Sequence, residues 1–209
     1  MSKGAGGPCF APRLLVMVKE PVLGRVKTRL ARDVGTVAAT RFFRTNLTVT
    51  LQRIAHDRRW QTILAVAPDR AATSAMFPAD LPRMRQGFGD LGTRMARMAK
   101  QAPPGPIVIV GGDIPDIRVH DIASAFASLR GSDAVFGPAG DGGYWLVGLS
   151  HQARHIGVFN NVRWSSAFAL SDTRANLAGF KVAEVALKHD VDDGADLAGL
   201  IDISGRLIC

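Results

Sequence analysis

The sequence contains few cysteines and no long apolar run, and both absences narrow the class of protein. The two cysteines, Cys9 and Cys209, lie at opposite ends of the chain, so they form neither a disulfide framework nor a metal-ligand cluster. No stretch approaches the roughly 18 uncharged apolar residues that a membrane helix needs. We therefore expect a cytoplasmic protein with no membrane-spanning segment.

Several common catalytic motifs are also missing. The segment Gly24–Thr28 has no glycine directly before Lys27, which excludes a P-loop, and the G-x-G-x-x-G fingerprint of dinucleotide-binding proteins does not occur. No G-x-S-x-G motif indicates a serine nucleophile. His151 and His155 have i, i+4 spacing but no third ligand, so a solvated helix face is a better interpretation than a zinc site.

Aromatic residues are scarce, and this affects how the net charge of +8 is interpreted. Tyr144 is the only tyrosine, and Trp60, Trp145 and Trp164 are scattered rather than interleaved with cations, as a single-strand nucleic-acid platform would require. The charge is polarised: residues 1–60 hold 12 Lys/Arg against 3 Asp/Glu, whereas residues 181–209 hold 3 against 6. This pattern favours an enzyme that clamps phosphates over a nucleic-acid partner.

The order of apolar runs predicts one α/β domain. At 209 residues and 47% hydrophobic composition the chain suits a single core, with a flexible leader over 1–12 and one domain over 13–209. Buried-strand runs alternate with segments of helical periodicity, which is typical of a mostly parallel sheet. The predicted strands cover 13–18, 62–67, 83–86, 106–110, 134–136, 144–149 and 182–187, and the predicted helices 36–56, 71–77, 90–101, 119–129, 166–178 and 194–201.

A basic loop follows the first predicted strand and is the strongest functional signal. Gly24 permits a tight backbone path there, and several cations can neutralise the charge of a diphosphate. The segment therefore predicts a phosphate-binding loop, although a basic surface loop without a ligand is the alternative. Its candidate phosphate-binding residues are Lys19, Gly24, Arg25, Lys27 and Arg29.

Two aspartates follow the strand predicted at 106–110. The carboxyl end of such a strand is where an open α/β sheet places ligands. Mg²⁺ wants one or two carboxylates together with phosphate oxygens, so Asp113 is the predicted metal ligand. For Asp116 we prefer the interpretation that it caps the following helix.

Two further acidic segments are candidates. Asp141 lies among four glycines in the turn 137–143, and ligand contact and an ordinary hairpin explain that turn about equally well. In the acidic cluster over 190–196, Asp193 or Asp196 complements the dipole of the last helix. Asp192 is the predicted second metal ligand, with Asp190 as the alternative.

Taken in order, these motifs resemble a bacterial family of glycosyltransferase-A-type, nucleotide-diphospho-sugar-transferase-like proteins. The matching pieces are K-E-P-V-L-G-R-V-K-T-R-L (19–30), Q-G-F-G-D-L-G-T-R-M (86–95), G-G-D-I-P-D (111–116), G-P-A-G-D-G-G-Y-W-L-V-G-L (137–149) and D-V-D-D-G-A-D-L (190–197). Phospholactate guanylyltransferase and the molybdenum-cofactor nucleotidyltransferases look like more distant relatives.

The resemblance implies a three-layer α/β/α sandwich with a mostly parallel sheet and a nucleotide bound over the strand ends. It implies that Asp113 is the metal aspartate and that the segment from Gln86 to Arg94 lies near the base or ribose. The chain departs from the family at Asp193, where a threonine is usual, and at Glu20, where a small residue is common. The first departure leaves the second metal ligand open.

The leading hypothesis is a transferase that uses Mg²⁺ or Mn²⁺ and a nucleotide-diphosphate sugar. Lys27 and Asp113 would act on the departing diphosphate, and Asp141 would face the sugar or a small-molecule acceptor. The same parts suit a nucleotidyltransferase that transfers a nucleoside monophosphate from a nucleoside triphosphate to a small phosphorylated acceptor. A non-catalytic nucleotide- or RNA-binding module is the third hypothesis. The sequence does not predict the oligomeric state.

Overall fold

The computed structural model describes residues 10–189, 191 and 193–199, and seven strands in this part of the chain form one sheet. Their spatial order is β3-β2-β1-β4-β6-β5-β7. Neighbouring strands are parallel except that β6 runs antiparallel to both β4 and β5. The strands are β1 (Arg13–Lys19), β2 (Gln61–Ala67), β3 (Arg83–Arg85), β4 (Ile107–Gly111), β5 (Ala134–Pro138), β6 (Tyr144–Leu149) and β7 (Val182–Glu184).

Helices connect the strands and begin where local sequence favours them. Gly35, at φ 85°, ends the first helix and precedes the second, and Asp90 caps the third by accepting a hydrogen bond from the Thr93 backbone N–H. The helices are α1 (Leu30–Val34), α2 (Thr36–Ile54), α3 (Leu91–Gln101), α4 (Val119–Ser128), α5 (Ala169–Ala175) and α6 (Gly194–Gly199), with 3₁₀ turns over Asp69–Thr73 and Ala153–His155.

The central strands are buried on both faces, which makes the fold a three-layer sandwich. In β1, Leu14, Val16 and Val18 pack with Leu47 and Leu51 of α2 on one side of the sheet. Leu15 points to the other side and packs with residues of α3 such as Met95 and Met98. Because successive side chains of a strand alternate between faces, this run of apolar residues needs a helical layer on each side. The predicted α/β/α class is confirmed.

The two strands that carry the candidate motifs lie side by side. The chain runs from β1 outward to β2 and β3 and then returns to β4 on the opposite side of β1. Met17 of β1 is in register with Gly111 of β4, so the loops after both strands start at the same edge. This reversal of strand order is where open α/β sheets form a ligand crevice.

Several predicted boundaries need correction. The helix α1 is missing from the prediction because its single turn is too short to show periodicity. The turn at Asp69–Thr73 is 3₁₀ and begins before the helix predicted at 71–77, and α5 is shorter than the predicted 166–178. Residues 200–201, the end of the last predicted helix, lie outside the described residues.

No helix among the described residues has both the length and the apolar character needed to cross a membrane.

Candidate active site

The basic loop and the strand-end aspartate meet in a direct ion pair. Lys27 Nζ lies 2.9 Å from Asp113 Oδ2, with the lysine side chain 6% exposed and the aspartate side chain 39% exposed. The loop after β1 turns back over β4, and Lys27 itself has a left-handed backbone at φ 44°. A non-glycine residue with such a φ is uncommon and occurs often at functional sites. The structure therefore brings together two of the three predicted catalytic residues.

A cavity of about 370 Å³ opens beside this pair, and we call it the basic cavity. It lies at the carboxyl ends of β1, β2 and β4, between the basic loop and the start of α3. The predicted residues that line it are Lys19, Arg25, Lys27, Gln86, Arg94 and Asp113. Gly24 and Arg29 belong to the same loop but not to the lining; Gly24 has a φ of 72°, which fits the tight path predicted for it.

The segment predicted to lie near a base or ribose is held firmly at the floor of the basic cavity. Gln86 is 5% exposed, and its amide Nε2 donates to the Val18 carbonyl at 3.2 Å and the Ala65 carbonyl at 2.7 Å. Arg94 Nε donates to the Gly89 carbonyl at 2.9 Å. Asp69, which the sequence did not single out, accepts from the Gly87 N–H at 2.8 Å. These bonds fix the backbone over 86–89.

A second cavity of about 400 Å³ adjoins the first, and we call it the apolar cavity. Its walls are mostly aromatic and aliphatic, with side chains from β1, β4, β6 and α3. Met17, Leu91 and Asp113 belong to the lining of both cavities and form the border between them. The other lining residues are Met95, Ile109, Val110, Gly111, Ile114, Ala139, Asp141, Gly143, Tyr144, Trp145, Val147, Trp164, Ser165, Ser166 and Ala169.

Asp141 lines the apolar cavity from the tip of the hairpin between β5 and β6. Its Oδ1 accepts a hydrogen bond from the Gly143 N–H at 2.9 Å, and the residue is exposed. Gly142 has a φ of 83°, and a Cβ there would lie 2.3 Å from the Ala167 carbonyl oxygen. The turn thus needs Gly142, because it packs there against the backbone of Ala167. The same turn presents the Asp141 carboxylate to the apolar cavity.

The opposite wall comes from the segment 163–166, which the sequence did not indicate. Trp164 packs so closely on α3 that a Cβ at Gly92 would lie 2.6 Å from its indole. Ser165 has a left-handed φ of 57°, and Ser166 donates to the Arg163 carbonyl. Arg163 makes two 2.8 Å hydrogen bonds to Asp172 of α5, which anchor the segment. The polar stretch N-V-R-W-S gave no periodic signal.

The pKa values of Tyr144 and Asp172 are shifted by the surroundings of these side chains. Burial raises the pKa of Tyr144, whose hydroxyl lies 3.4 Å from the Thr173 hydroxyl, so the phenol stays neutral. Hydrogen bonds from Arg163 lower the pKa of Asp172 from 3.8 to about 2. At ordinary pH the apolar cavity is therefore lined by a neutral phenol, and a charged pair outside the lining anchors the segment that carries Trp164.

Asp116 does not cap the next helix, contrary to the sequence interpretation. The N-cap of α4 is Arg118, and Asp121 accepts from its backbone N–H at 2.8 Å. Lys188, which is 9% exposed, contacts Asp121 Oδ2 at 3.0 Å and Asp116 Oδ2 at 3.4 Å. Burial acts to raise the pKa of Asp116, but Lys188 and Arg118 outweigh it and the pKa is lowered. This network ties the loop after β4 to the chain after β7.

The described residues contain one of the predicted metal ligands. Asp190 and Asp192 lie outside them, and no group of three or more His, Cys, Asp or Glu side chains within 10–189, 191 and 193–199 is placed to hold a metal. Asp193 accepts from the Ala195 and Asp196 N–H groups and starts α6. Asp113 suits Mg²⁺ or Mn²⁺, because it is a part-exposed carboxylate beside a cavity lined by cations, and such an ion is commonly held by one or two carboxylates together with substrate phosphates.

The strand order and the site at the strand ends define the nucleotide-diphospho-sugar-transferase class of α/β fold. A candidate nucleotide-diphospho-sugar transferase from Desulfovibrio desulfuricans G20 is similar, with a TM-score of 0.85 and 28% identity over 94% of this chain and 88% of that one. The chain belongs to a family described as uncharacterized proteins conserved in bacteria, DUF2064, whose model matches residues 50–166. No curated protein matches the sequence.

More distant structures share the fold. A cytidylyltransferase from Leptospira borgpetersenii serovar Hardjo-bovis gives a TM-score of 0.62 at 14% identity, covering 90% of this chain and 84% of that chain. A Mycobacterium tuberculosis H37Rv protein solved in complex with manganese gives 0.52 at 17% identity, covering 91% and 98%. The family resemblance seen in the sequence is confirmed, and the similarity to the Desulfovibrio desulfuricans protein supports an enzyme of the transferase kind.

Proposed function

We propose that this protein is a metal-dependent transferase that moves a sugar from a nucleotide-diphosphate donor to a small-molecule acceptor. The observation that carries the proposal is the border between the two cavities, where Lys27 and Asp113 form their ion pair. The diphosphate would lie in the basic cavity, and the group that is transferred would extend into the apolar cavity. The similarity to a candidate nucleotide-diphospho-sugar transferase at 28% identity supports this direction.

The residues divide the chemistry between them. Lys19, Arg25 and Lys27 line the basic cavity, and they would stabilise the negative charge that develops on the departing nucleoside diphosphate. Asp113 would hold the divalent ion, with a second ligand from Asp192 or Asp190. When bound, the ion would neutralise part of the diphosphate charge. Fixed cations in a cavity stabilise the leaving group without reorganising during the reaction.

Asp141 is the candidate base on the opposite side of the cleft. In the transfer, an acceptor hydroxyl oxygen bonds to the anomeric carbon of the donor sugar. The bond from that carbon to the phosphate oxygen breaks, the nucleoside diphosphate leaves with the electron pair, and Asp141 takes the hydroxyl proton. The exposed position of Asp141 in the cavity lining supports this role. Gln86 and Arg94 would contribute to nucleotide binding from the basic cavity.

Nucleotidyl transfer is the second candidate, and the shared fold of a cytidylyltransferase favours it. In that reaction an acceptor oxygen attacks the α-phosphorus of a nucleoside triphosphate, the bond to the β-phosphate oxygen breaks, and pyrophosphate leaves. The same cations would bind the triphosphate. A non-catalytic nucleotide- or RNA-binding module is a weaker proposal, because it assigns no role to Asp141 or to the apolar cavity.

Ligand-induced thermal shifts distinguish these reactions. The protein is incubated with Mg²⁺ or Mn²⁺ and with panels of nucleotide sugars, nucleoside diphosphates and nucleoside triphosphates. A ligand that binds the native state raises the melting temperature according to its affinity. Stabilisation by nucleotide sugars and not by triphosphates supports glycosyl transfer, and the opposite pattern supports nucleotidyl transfer. Stabilisation by neither class, with or without metal, would contradict both.

A further inference from the structure

Charge separates sharply across the border between the two cavities. The basic cavity is lined by Lys19, Arg25, Lys27 and Arg94. The apolar cavity has no Lys, Arg or His in its lining among the described residues, and its two charged residues are Asp113 and Asp141. A phosphate monoester carries between one and two negative charges near neutral pH. Asp113 is paired with Lys27, so the carboxylate that such a group would meet inside the apolar cavity is that of Asp141, and its cationic partners lie at the border and beyond it.

The walls of the apolar cavity suit a ring. The rings of Tyr144 and Trp164 are edge to face, with centroids 6.3 Å apart and an interplanar angle of 71°. Trp145 of β6 also lines the cavity. Met17 and Leu91 extend this surface to the border with the basic cavity. Aromatic and aliphatic walls with a few placed polar groups are typical of small-molecule sites. The volume of about 400 Å³ accommodates one or two six-membered rings.

The polar groups in these walls are hydrogen-bond acceptors and hydroxyls. Asp141 uses Oδ1 for the Gly143 N–H, which leaves Oδ2 for a ligand hydroxyl. Ser165 is exposed in a left-handed conformation at φ 57°, a strained arrangement that places a hydroxyl beside Trp164. The Tyr144 hydroxyl is already near Thr173. These groups match a ligand that donates hydrogen bonds through its own hydroxyls.

We infer that the apolar cavity binds an uncharged, hydroxylated ring that bears no phosphate. The inference rests on the proposed function for what the ring is: the sugar of the nucleotide donor or the acceptor itself. Either ring would lie against Tyr144 and Trp164 with a hydroxyl at Asp141. Asp141 and the lack of Lys, Arg and His in the described lining disfavour a phosphorylated acceptor in this cavity.

Intrinsic tryptophan fluorescence tests the inference with a matched pair of probes. 4-Nitrophenyl β-glucoside and 4-nitrophenyl phosphate share the quenching group and differ in charge, and free tryptophan corrects for absorption by both. We expect the glucoside to bind at least about ten times more tightly than the phosphate, a difference of about 1.4 kcal/mol. Equal or tighter binding of the phosphate would overturn the inference, as would no binding of the glucoside.

Two variants locate the binding. Trp164→Phe keeps an aromatic wall but removes one of the two indoles in the lining, and we expect it to lose the part of the quenching that Trp164 contributes while Trp145 retains the rest. Trp60 lines neither cavity, so Trp60→Phe is the matched control and should keep the quenching. Quenching that survives in Trp164→Phe and is lost in Trp60→Phe would place the glucoside elsewhere and overturn the inference.

Changing the charge at Asp141 tests the exclusion of phosphate. Asp141→Asn keeps an oxygen for the Gly143 N–H and removes the charge, and Asp141→Lys supplies a cation. We expect affinity for 4-nitrophenyl phosphate to increase several-fold in the first and further in the second. Unchanged phosphate affinity in Asp141→Asn would overturn the inference even if the lysine variant does not fold.

Competition identifies the source of the ring. If a nucleotide sugar displaces the glucoside and the corresponding nucleoside diphosphate does not, the ring is the donor's sugar. If the glucoside binds together with the nucleotide sugar as well as together with the nucleoside diphosphate, the ring is the acceptor. The ratio of the affinities for 4-nitrophenyl β-glucoside and 4-nitrophenyl phosphate is measured without nucleotide. It therefore tests ligand binding in the apolar cavity even when nucleoside diphosphates with Mn²⁺ fail to stabilise the protein. That failure would count against the proposed function alone.

Discussion

The basic cavity and the apolar cavity share a border but are built in different ways. The basic cavity takes most of its cations from the end of β1 and the loop that follows it, where Lys19, Arg25 and Lys27 lie within nine residues of each other. The walls of the apolar cavity come from side chains that are far apart in sequence, such as Met17, Leu91 and Trp164. A loop can bring charges together by itself, whereas an aromatic wall needs the sheet and both helical layers to be in place.

Ligand binding in the basic cavity should consequently depend mainly on charge, whereas the shape of the apolar cavity depends mainly on packing. On the basic side, Lys19 and Arg25 are exposed to solvent and could pair with a charged ligand, whereas Lys27 is buried in its ion pair with Asp113. On the apolar side, buried rings and the Arg163–Asp172 anchor define the shape before any ligand arrives. Substitutions in the basic cavity should therefore change binding with little effect on stability, and substitutions around the apolar cavity should affect both.

The border residue should show the largest effect. In Asp113→Asn we expect metal-dependent transfer to fall by about 100- to 1000-fold, because one preorganised charged group at the reacting centre contributes about that much. Binding of Mn²⁺ in the presence of a nucleoside diphosphate, followed by electron paramagnetic resonance, should weaken in parallel. Asp116→Asn is the control, since Asp116 follows the same strand but lines neither cavity. Equal losses in the two variants would argue against a border role for Asp113.

The cationic side should show the next largest effect. Lys27→Met removes the charge and keeps the length of the side chain, so we expect nucleoside diphosphate affinity to fall about 10- to 100-fold. A hydrogen bond to a charged group contributes about 1.5–3 kcal/mol, which corresponds to this range. Isothermal titration calorimetry measures the change.

Arg29→Met is the matched control for Lys27→Met. Arg29 belongs to the same loop but not to the lining of the basic cavity. A loss in Arg29→Met as large as that in Lys27→Met would mean that the loop acts through its summed charge and not through the position of Lys27.

The two cavities also differ in how far sequence reasoning could reach. The order of strands and helices, the basic loop, Asp113 and Asp141 followed from local patterns, because each lies in a contiguous motif beside an apolar run. The ion pair of Lys27 with Asp113 joins residues 86 positions apart and depends on the β1–β4 register. Periodicity carries no information about such a pairing.

Few sequence patterns indicated the residues that form the apolar cavity. Trp164 and Ser165 lie in a stretch without regular structure, and the conformation of Ser165 is set by packing on α3 and by the anchor at Asp172. Lys188 was overlooked because its partners Asp116 and Asp121 are about 70 residues away. The misassigned cap at Asp116 has the same origin: a local rule was applied where a distant lysine holds the side chain.

A substitution at the tip of the hairpin between β5 and β6 tests whether residues around the apolar cavity also stabilise the fold. In Gly142→Ala, a positive φ and a Cβ 2.3 Å from the Ala167 carbonyl oxygen should lower the free energy of unfolding by about 1–3 kcal/mol. Gly179→Ala is the control, because Gly179 has a similar φ of 86° with nothing within 4 Å. Urea unfolding compares the two. We expect the larger loss at Gly142, and equal losses would show that backbone conformation, and not the close contact, dominates.

Acid should loosen the Arg163–Asp172 anchor beside the apolar cavity, with the smallest effect of the series. Arg163 lowers the pKa of Asp172 from 3.8 to about 2, so the anchor stabilises the fold fully above about pH 4 and loses that contribution as pH falls toward 2. The difference in melting temperature between wild type and Asp172→Asn should therefore shrink over that interval. Asp57 has a pKa lowered to about 2 by hydrogen bonds from Arg59, and it lines neither cavity. Asp57→Asn should show the same pH dependence of stability while leaving glucoside quenching at pH 5 unchanged, whereas Asp172→Asn should weaken the quenching. If both variants weaken it equally, the Arg163–Asp172 pair is no specific support for the apolar wall.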